Sequence, residues 1–175
     1  MKNAKFRLYS DENCTNEVYV KESPNGYVVM NRDSLGGTDH TGGARPSSAV
    51  EMASDAKGVF TILGLDQGTY YLKETDSPAG YRELQDPIVI TIKPTFTDER
   101  NNYNAGEGAT DKTLKTLEAT AHVKEFLDGA YKESDTNLKT DVTDGSANIT
   151  VVNYVGTKLP ITGSNLTMIC LGAGT

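Results

Sequence analysis

The chain has 175 residues, 37% of them hydrophobic and none of them tryptophan, which supports one modest core. Its 17 basic and 24 acidic side chains leave a net charge of -7, which argues against nucleic acid as a partner. The bulky apolar residues sit in short runs among Thr, Val, Ile and Tyr, suited to a pleated surface rather than to long helices, so the expected fold class is all-β.

The first strand places Ala4, Phe6 and Leu8 on one face and Lys5, Arg7 and Tyr9 on the other. Val18 to Val20 and Tyr27 to Met30 flank Ser23-Pro24-Asn25-Gly26, where Asn-Gly supplies the positive φ angles of a tight hairpin. From Asp33 to Ser48 two Gly-Gly pairs stand among Ser, Thr, Asp and Pro46 with almost nothing to bury, which reads as a long mobile loop. Strands follow at Val59 to Leu63, Thr69 to Glu74 and Ile88 to Ile92, separated by Asp66-Gln67-Gly68 and Pro78-Ala79-Gly80. Between Lys112 and Lys132 helical spacing (Leu114, Leu117, Ala121) competes with strand spacing (Leu117, Ala119, Ala121, Val123), and Asp128-Gly129 favours a hairpin. Ile149 to Val155 makes the last strand. Seven or more short strands with Gly-rich turns read as a β-sandwich.

The ends of the chain are less regular. No charged-then-apolar leader precedes Lys2, and the apolar run Leu166 to Ala173 is shorter than the roughly 20 residues a membrane span needs, so residues 164–175 read as a truncated hydrophobic tail. Cys14 and Cys170 lie near opposite ends and are not expected to pair. His40 and His122 lack metal-ligand spacing or a nucleophile partner, and Asp11, Glu12, Asn13 and Asp33 read as polar turn residues rather than a calcium site. No cofactor and no metal is expected.

Two polar residues fall on apolar faces. Period two puts Glu74 with Tyr70 and Leu72, and Asn153 with Ile149, Val151 and Val155. Burial without a partner is costly for a carboxylate and favours its neutral form. Two readings stand: Glu74 bonds the backbone of the Asp76-to-Gly80 turn with Asn153 at a solvated edge, or the two form a reactive pair.

The segment Gly58 to Tyr81, with Tyr70-Tyr71-Leu72-Lys73-Glu74-Thr75-Asp76-Ser77-Pro78-Ala79-Gly80-Tyr81 at its core, resembles the SpaA-like, collagen-adhesin B-type domain of Gram-positive surface proteins. That core looks like the family's E-box, and Lys2 to Tyr9 is similar to its early Gly-Ala-x-Phe-x-Leu strand. The resemblance covers Met1 to about Lys93 and returns at Asn148 to Gly163. It implies a prealbumin-like (transthyretin-like) β-sandwich, here with a long variable insertion, stapled by a Lys–Asn isopeptide bond that a Glu promotes. Glu74 matches the promoting Glu and Asn153 the acceptor. The donor is unknown: the family's lysine lies on a strand that would precede Met1, Lys5 has the wrong parity, and Lys2 sits at a fraying end.

Leu159-Pro160-Ile161-Thr162-Gly163 fits the Leu-Pro-x-Thr-Gly sorting signal. Pro160 fixes its own φ and keeps Leu159 out of helix, leaving an extended segment that an enzyme cleft can read. A sortase thiolate would attack the Thr162 carbonyl and hand the acyl group to an amine of a cell-wall precursor or of a neighbouring pilin subunit. The expected organisation is therefore a sandwich over 1–155, a linker with the sorting signal over 156–163, and the tail. The expected function is a non-enzymatic surface protein, extracellular and wall-anchored, either a pilin subunit or an adhesin stalk. The alternatives are an adhesin module whose Asp33-to-Ser48 loop contacts a host extracellular ligand and the anchor module of a larger surface enzyme.

Overall fold

The structure is a computed structural model that describes residues 2–30, 44–96, 114–127, 129–153 and 164–171, with backbone alone for 126–127, 151–153 and 164–171. These residues contain thirteen strands and no helix. In chain order they are β1 (Lys5–Tyr9), β2 (Glu17–Val18), β3 (Val20–Ser23), β4 (Gly26–Val29), β5 (Met52–Ala53), β6 (Val59–Leu63) and β7 (Gly68–Asp76). There follow β8 (Ile88–Phe96), β9 (Leu114–Leu127), β10 (Ala130–Asn137), β11 (Lys139–Asp141), β12 (Ser146–Asn153) and β13 (Ser164–Leu171). One sheet runs β10-β9-β8-β7-β1-β2, with β5 also paired to β1; the other runs β11-β12-β13-β6-β4-β3.

The inward parity expected of β1 is observed: Phe6 and Leu8 are buried while Lys5, Arg7 and Tyr9 keep partial exposure. They meet Leu72 of β7, Ile88 and Ile90 of β8, and Phe60 and Ile62 of β6 in a single core. The Phe6 and Phe60 rings, 5.2 Å apart and tilted by 34°, bring the two sheets into contact, a favourable offset for aromatic pairs. A second tie is polar. The Tyr27 hydroxyl of β4 donates to the Ala53 carbonyl at 3.3 Å and accepts from the Ala53 amide at 2.9 Å, joining the second sheet to β5 of the first.

Both hairpins read from Gly-containing turns are present. In the β3–β4 hairpin Ser23 pairs with Gly26, and Gly26 has φ +132 with its Cα packed so closely on β6 that a Cβ would lie 2.6 Å from the Thr61 carbonyl oxygen. In the β9–β10 hairpin Gly129 has φ +82, and strand spacing wins over helical spacing because Ala119 and Ala121 are buried on one face.

Only the end of the Asp33-to-Ser48 loop is described. Residues 33–43 lie outside the described residues, but Arg45 is anchored by an ion pair to Glu17 and its guanidinium lies 5.9 Å from the Tyr19 ring centroid. This cation finds both an anion and an aromatic face on the sandwich. The segment expected as a hydrophobic tail also contributes to the sheet. Its residues Ser164–Leu171 form β13, antiparallel to β12 from Ser146↔Leu171 to Asn153↔Ser164 and parallel to β6 from Thr167↔Val59 to Leu171↔Leu63.

Candidate functional site

Glu74 is 0% exposed, among the most deeply buried side chains of the described residues. Strand parity explains why it points inward. A bulge fixes where. Lys5 pairs with Asp76 and Phe6 with Glu74 across β1 and β7, so the intervening Thr75 has no partner in the ladder. With the extra residue absorbed, Glu74 stands opposite the fully buried Phe6 while its neighbours turn outward. The Thr75 hydroxyl donates to Glu51 Oε1 at 2.7 Å, and Asp76 Oδ2 meets Lys5 Nζ at 3.2 Å. Glu51 also accepts from Arg7 Nε at 3.1 Å, so a polar network on the outer face holds the bulge that aims Glu74 at the core.

A backbone partner of Glu74 lies beyond the Asp76-to-Gly80 turn. The Leu84 amide donates to Glu74 Oε2 at 2.7 Å, because the chain passes that turn, closed by the Tyr81 amide on the Pro78 carbonyl at 3.0 Å, and folds back over the site. Leu84 itself is buried at 9% exposure. The Ser77 hydroxyl oxygen is buried and has no hydrogen-bond partner among the described residues. Leu84 had no signature in the sequence, since only the return path of the chain brings its amide to the carboxyl. A carboxyl shielded from water and held by a backbone amide has a fixed position from which to pass a proton to a group brought in beside it.

Asn153 is the last residue of β12, four positions after the buried Ile149 and paired with Ser164; its side chain lies outside the described residues. The five residues of the sorting motif, Leu159 to Gly163, also lie outside them. No described lysine is buried. Lys2 is exposed and Lys5 is committed to Asp76 at the surface, so neither approaches the core as a donor would have to. Elsewhere, His122 Nδ1 meets Asp135 Oδ1 at 2.8 Å across β9 and β10. The Asp11 carboxylate accepts from the Thr15 and Asn16 amides, which makes it a turn residue. Among the described residues no group of three His, Cys, Asp or Glu side chains could hold a metal ion.

A family model described as SpaA, a prealbumin-like fold domain, matches residues 1–107. No curated protein matches the chain.

Proposed function

Because the chain belongs to the SpaA family of prealbumin-like fold domains, we propose that it is a structural domain of a Gram-positive surface protein, a pilin subunit or an adhesin stalk, fixed to its neighbours by covalent bonds. Attachment to neighbours rests on the motif Leu159 to Gly163, and the observation that carries an internal covalent bond beside it is Glu74. A carboxyl with no exposure, placed opposite Phe6 by a bulge, is an expensive group to keep in a core for packing alone.

In this reading the covalent chemistry is self-modification rather than turnover. A neutral lysine amine attacks Cγ of Asn153. Glu74 donates a hydrogen bond to the side-chain carbonyl oxygen, then moves a proton from the attacking nitrogen to the departing one. The Cγ–Nζ bond forms, the Cγ–Nδ2 bond breaks and ammonia leaves. Anchoring is a separate reaction, at Leu159-Pro160-Ile161-Thr162-Gly163. A sortase thiolate adds to the Thr162 carbonyl, the Thr162–Gly163 bond breaks with Gly163 leaving as the amine, and the thioester passes to an amine of a cell-wall precursor or of a neighbouring subunit.

The anchoring test is incubation of the chain with sortases of the pilus-building and housekeeping classes and an amine nucleophile. The expected product ends at Thr162 joined to that amine, and Leu159→Ala abolishes it. An uncleaved chain, or equal cleavage of Leu159→Ala, would defeat this reading.

A further inference from the structure

The inward position of Glu74 is the costlier of two open to β7. Leu8↔Leu72, Arg7↔Lys73 and Phe6↔Glu74 follow one register, Lys5↔Asp76 follows the next, and Thr75 is the residue left over. Moving the bulge by one residue would pair Phe6 with Thr75 and make Glu74 the extra residue, turned outward beside Arg7. That arrangement would bury a hydroxyl in place of a carboxyl, which costs less, and would set the carboxylate next to a guanidinium. Local preferences therefore favour Glu74 outside, yet it is 0% exposed. The structure needs a group on the outer face that holds Thr75 out.

Glu51 meets that need. β5 pairs with β1 on the side away from β7, with Lys5↔Ala53 and Phe6↔Met52, so Glu51, the residue before Met52, comes level with Arg7. From there it reaches across β1. Its Oε1 accepts from the Thr75 hydroxyl at 2.7 Å and from Arg7 Nε at 3.1 Å, both in partly buried surroundings. One oxygen thus fixes the leftover residue and occupies the cation that would draw Glu74 out. Arg7 also meets Glu17 Oε2, at 3.9 Å, so the guanidinium is flanked by carboxylates other than Glu74. We infer that Glu51 is a positioning residue: through Thr75 and Arg7 it selects the register in which Glu74 enters the core. The selection stands on the ladder and the distances; its use in bond formation rests on the covalent reading of Glu74 and Asn153.

The Leu84 amide reports which register is present, because it donates to Glu74 Oε2. In the full chain carrying Glu51→Ala, hydrogen exchange at that amide should quicken about five- to tenfold, the scale of one hydrogen bond to a carboxyl, while the Leu72 amide of the same strand keeps its parent rate. Glu51→Gln, which retains an acceptor oxygen, should restore most of the protection. Thr75→Val keeps the shape of the side chain, removes the hydroxyl and suits the core, so it should release the Leu84 amide as Glu51→Ala does, whereas Thr75→Ser should not. A Leu84 amide that stays protected in both Glu51→Ala and Thr75→Val, or that changes only in step with Leu72, would overturn the positioning role. The protein expressed from its full open reading frame gives the second arm. Ammonia loss, followed by intact mass, should be several-fold slower in Glu51→Ala than in the parent, with the rate recovered in Glu51→Gln; equal rates in parent and Glu51→Ala would also overturn the role. A parent of full mass would instead defeat the covalent reading, and the exchange rates would then decide the role of Glu51 by themselves.

Discussion

Removing one oxygen atom should measure how strongly the two sheets are tied. Tyr27→Phe keeps the ring that meets Phe60 edge-on, with centroids 6.4 Å apart and planes at 75°, and deletes only the hydroxyl. That hydroxyl serves the Ala53 amide at 2.9 Å and the Ala53 carbonyl at 3.3 Å. A net hydrogen bond is worth about 1 kcal/mol, and water can recover part of the longer contact because Ala53 is only half-buried. The expected loss is therefore about 1–2 kcal/mol, which lowers the melting temperature by about 2–8 °C in a chain of this size. Urea titration should show a reduced midpoint at unchanged m value. Hydrogen exchange supplies the local readout: the Ala53 amide should exchange faster while the Leu72 amide, in the centre of the first sheet, slows or quickens only with global stability. An unchanged midpoint together with an unchanged Ala53 amide would refute the tie between β4 and β5.

Gly26→Ala should destabilise by more than about 1 kcal/mol, since the new Cβ meets the Thr61 carbonyl at 2.6 Å and φ +132 is unfavourable for any side chain; a urea midpoint equal to that of the parent chain would contradict the close approach of β4 to β6. Stability should fall as pH drops below the ordinary carboxylate range. Amide hydrogen bonds, from Asn16 foremost to Asp11 and from Val59 foremost to Asp55, hold both carboxyls below their usual values. Groups with depressed folded pKa values contribute stability above the unfolded value of about 3.9 and lose it as pH falls through the folded one. Asp11→Asn and Asp55→Asn should each flatten the stability–pH curve below about pH 4, and an unaltered slope in that window would show that these turns are not the acid-sensitive elements.

Residues with local rules were legible in the sequence. Period two placed Phe6, Leu8 and Glu74 inward, and Asp128-Gly129 marked the β9–β10 hairpin against a competing helical spacing. Features that depend on distant partners were not. Met52–Ala53 is too short to show alternation, and it is defined by β1 on one side and the Tyr27 hydroxyl on the other. The bulge at Thr75 and the Leu84 amide on Glu74 arise from how β7 meets β1 and how the following segment returns. The run after Gly163 reads as a tail because apolar residues on both parities suit a lipid or a buried strand equally well; only pairing with β12 and β6 distinguishes them.

The central claim is that Glu74 occupies the core for the sake of a covalent bond to Asn153. Intact-mass measurement of the protein expressed from its full open reading frame tests it most directly. The predicted result is a mass one ammonia below that of the sequence, a peptide map joining the Asn153 side chain to a lysine, and full mass in both Glu74→Ala and Asn153→Ala. A parent chain of full mass would contradict the claim and leave Glu74 as a buried acceptor for the Leu84 amide.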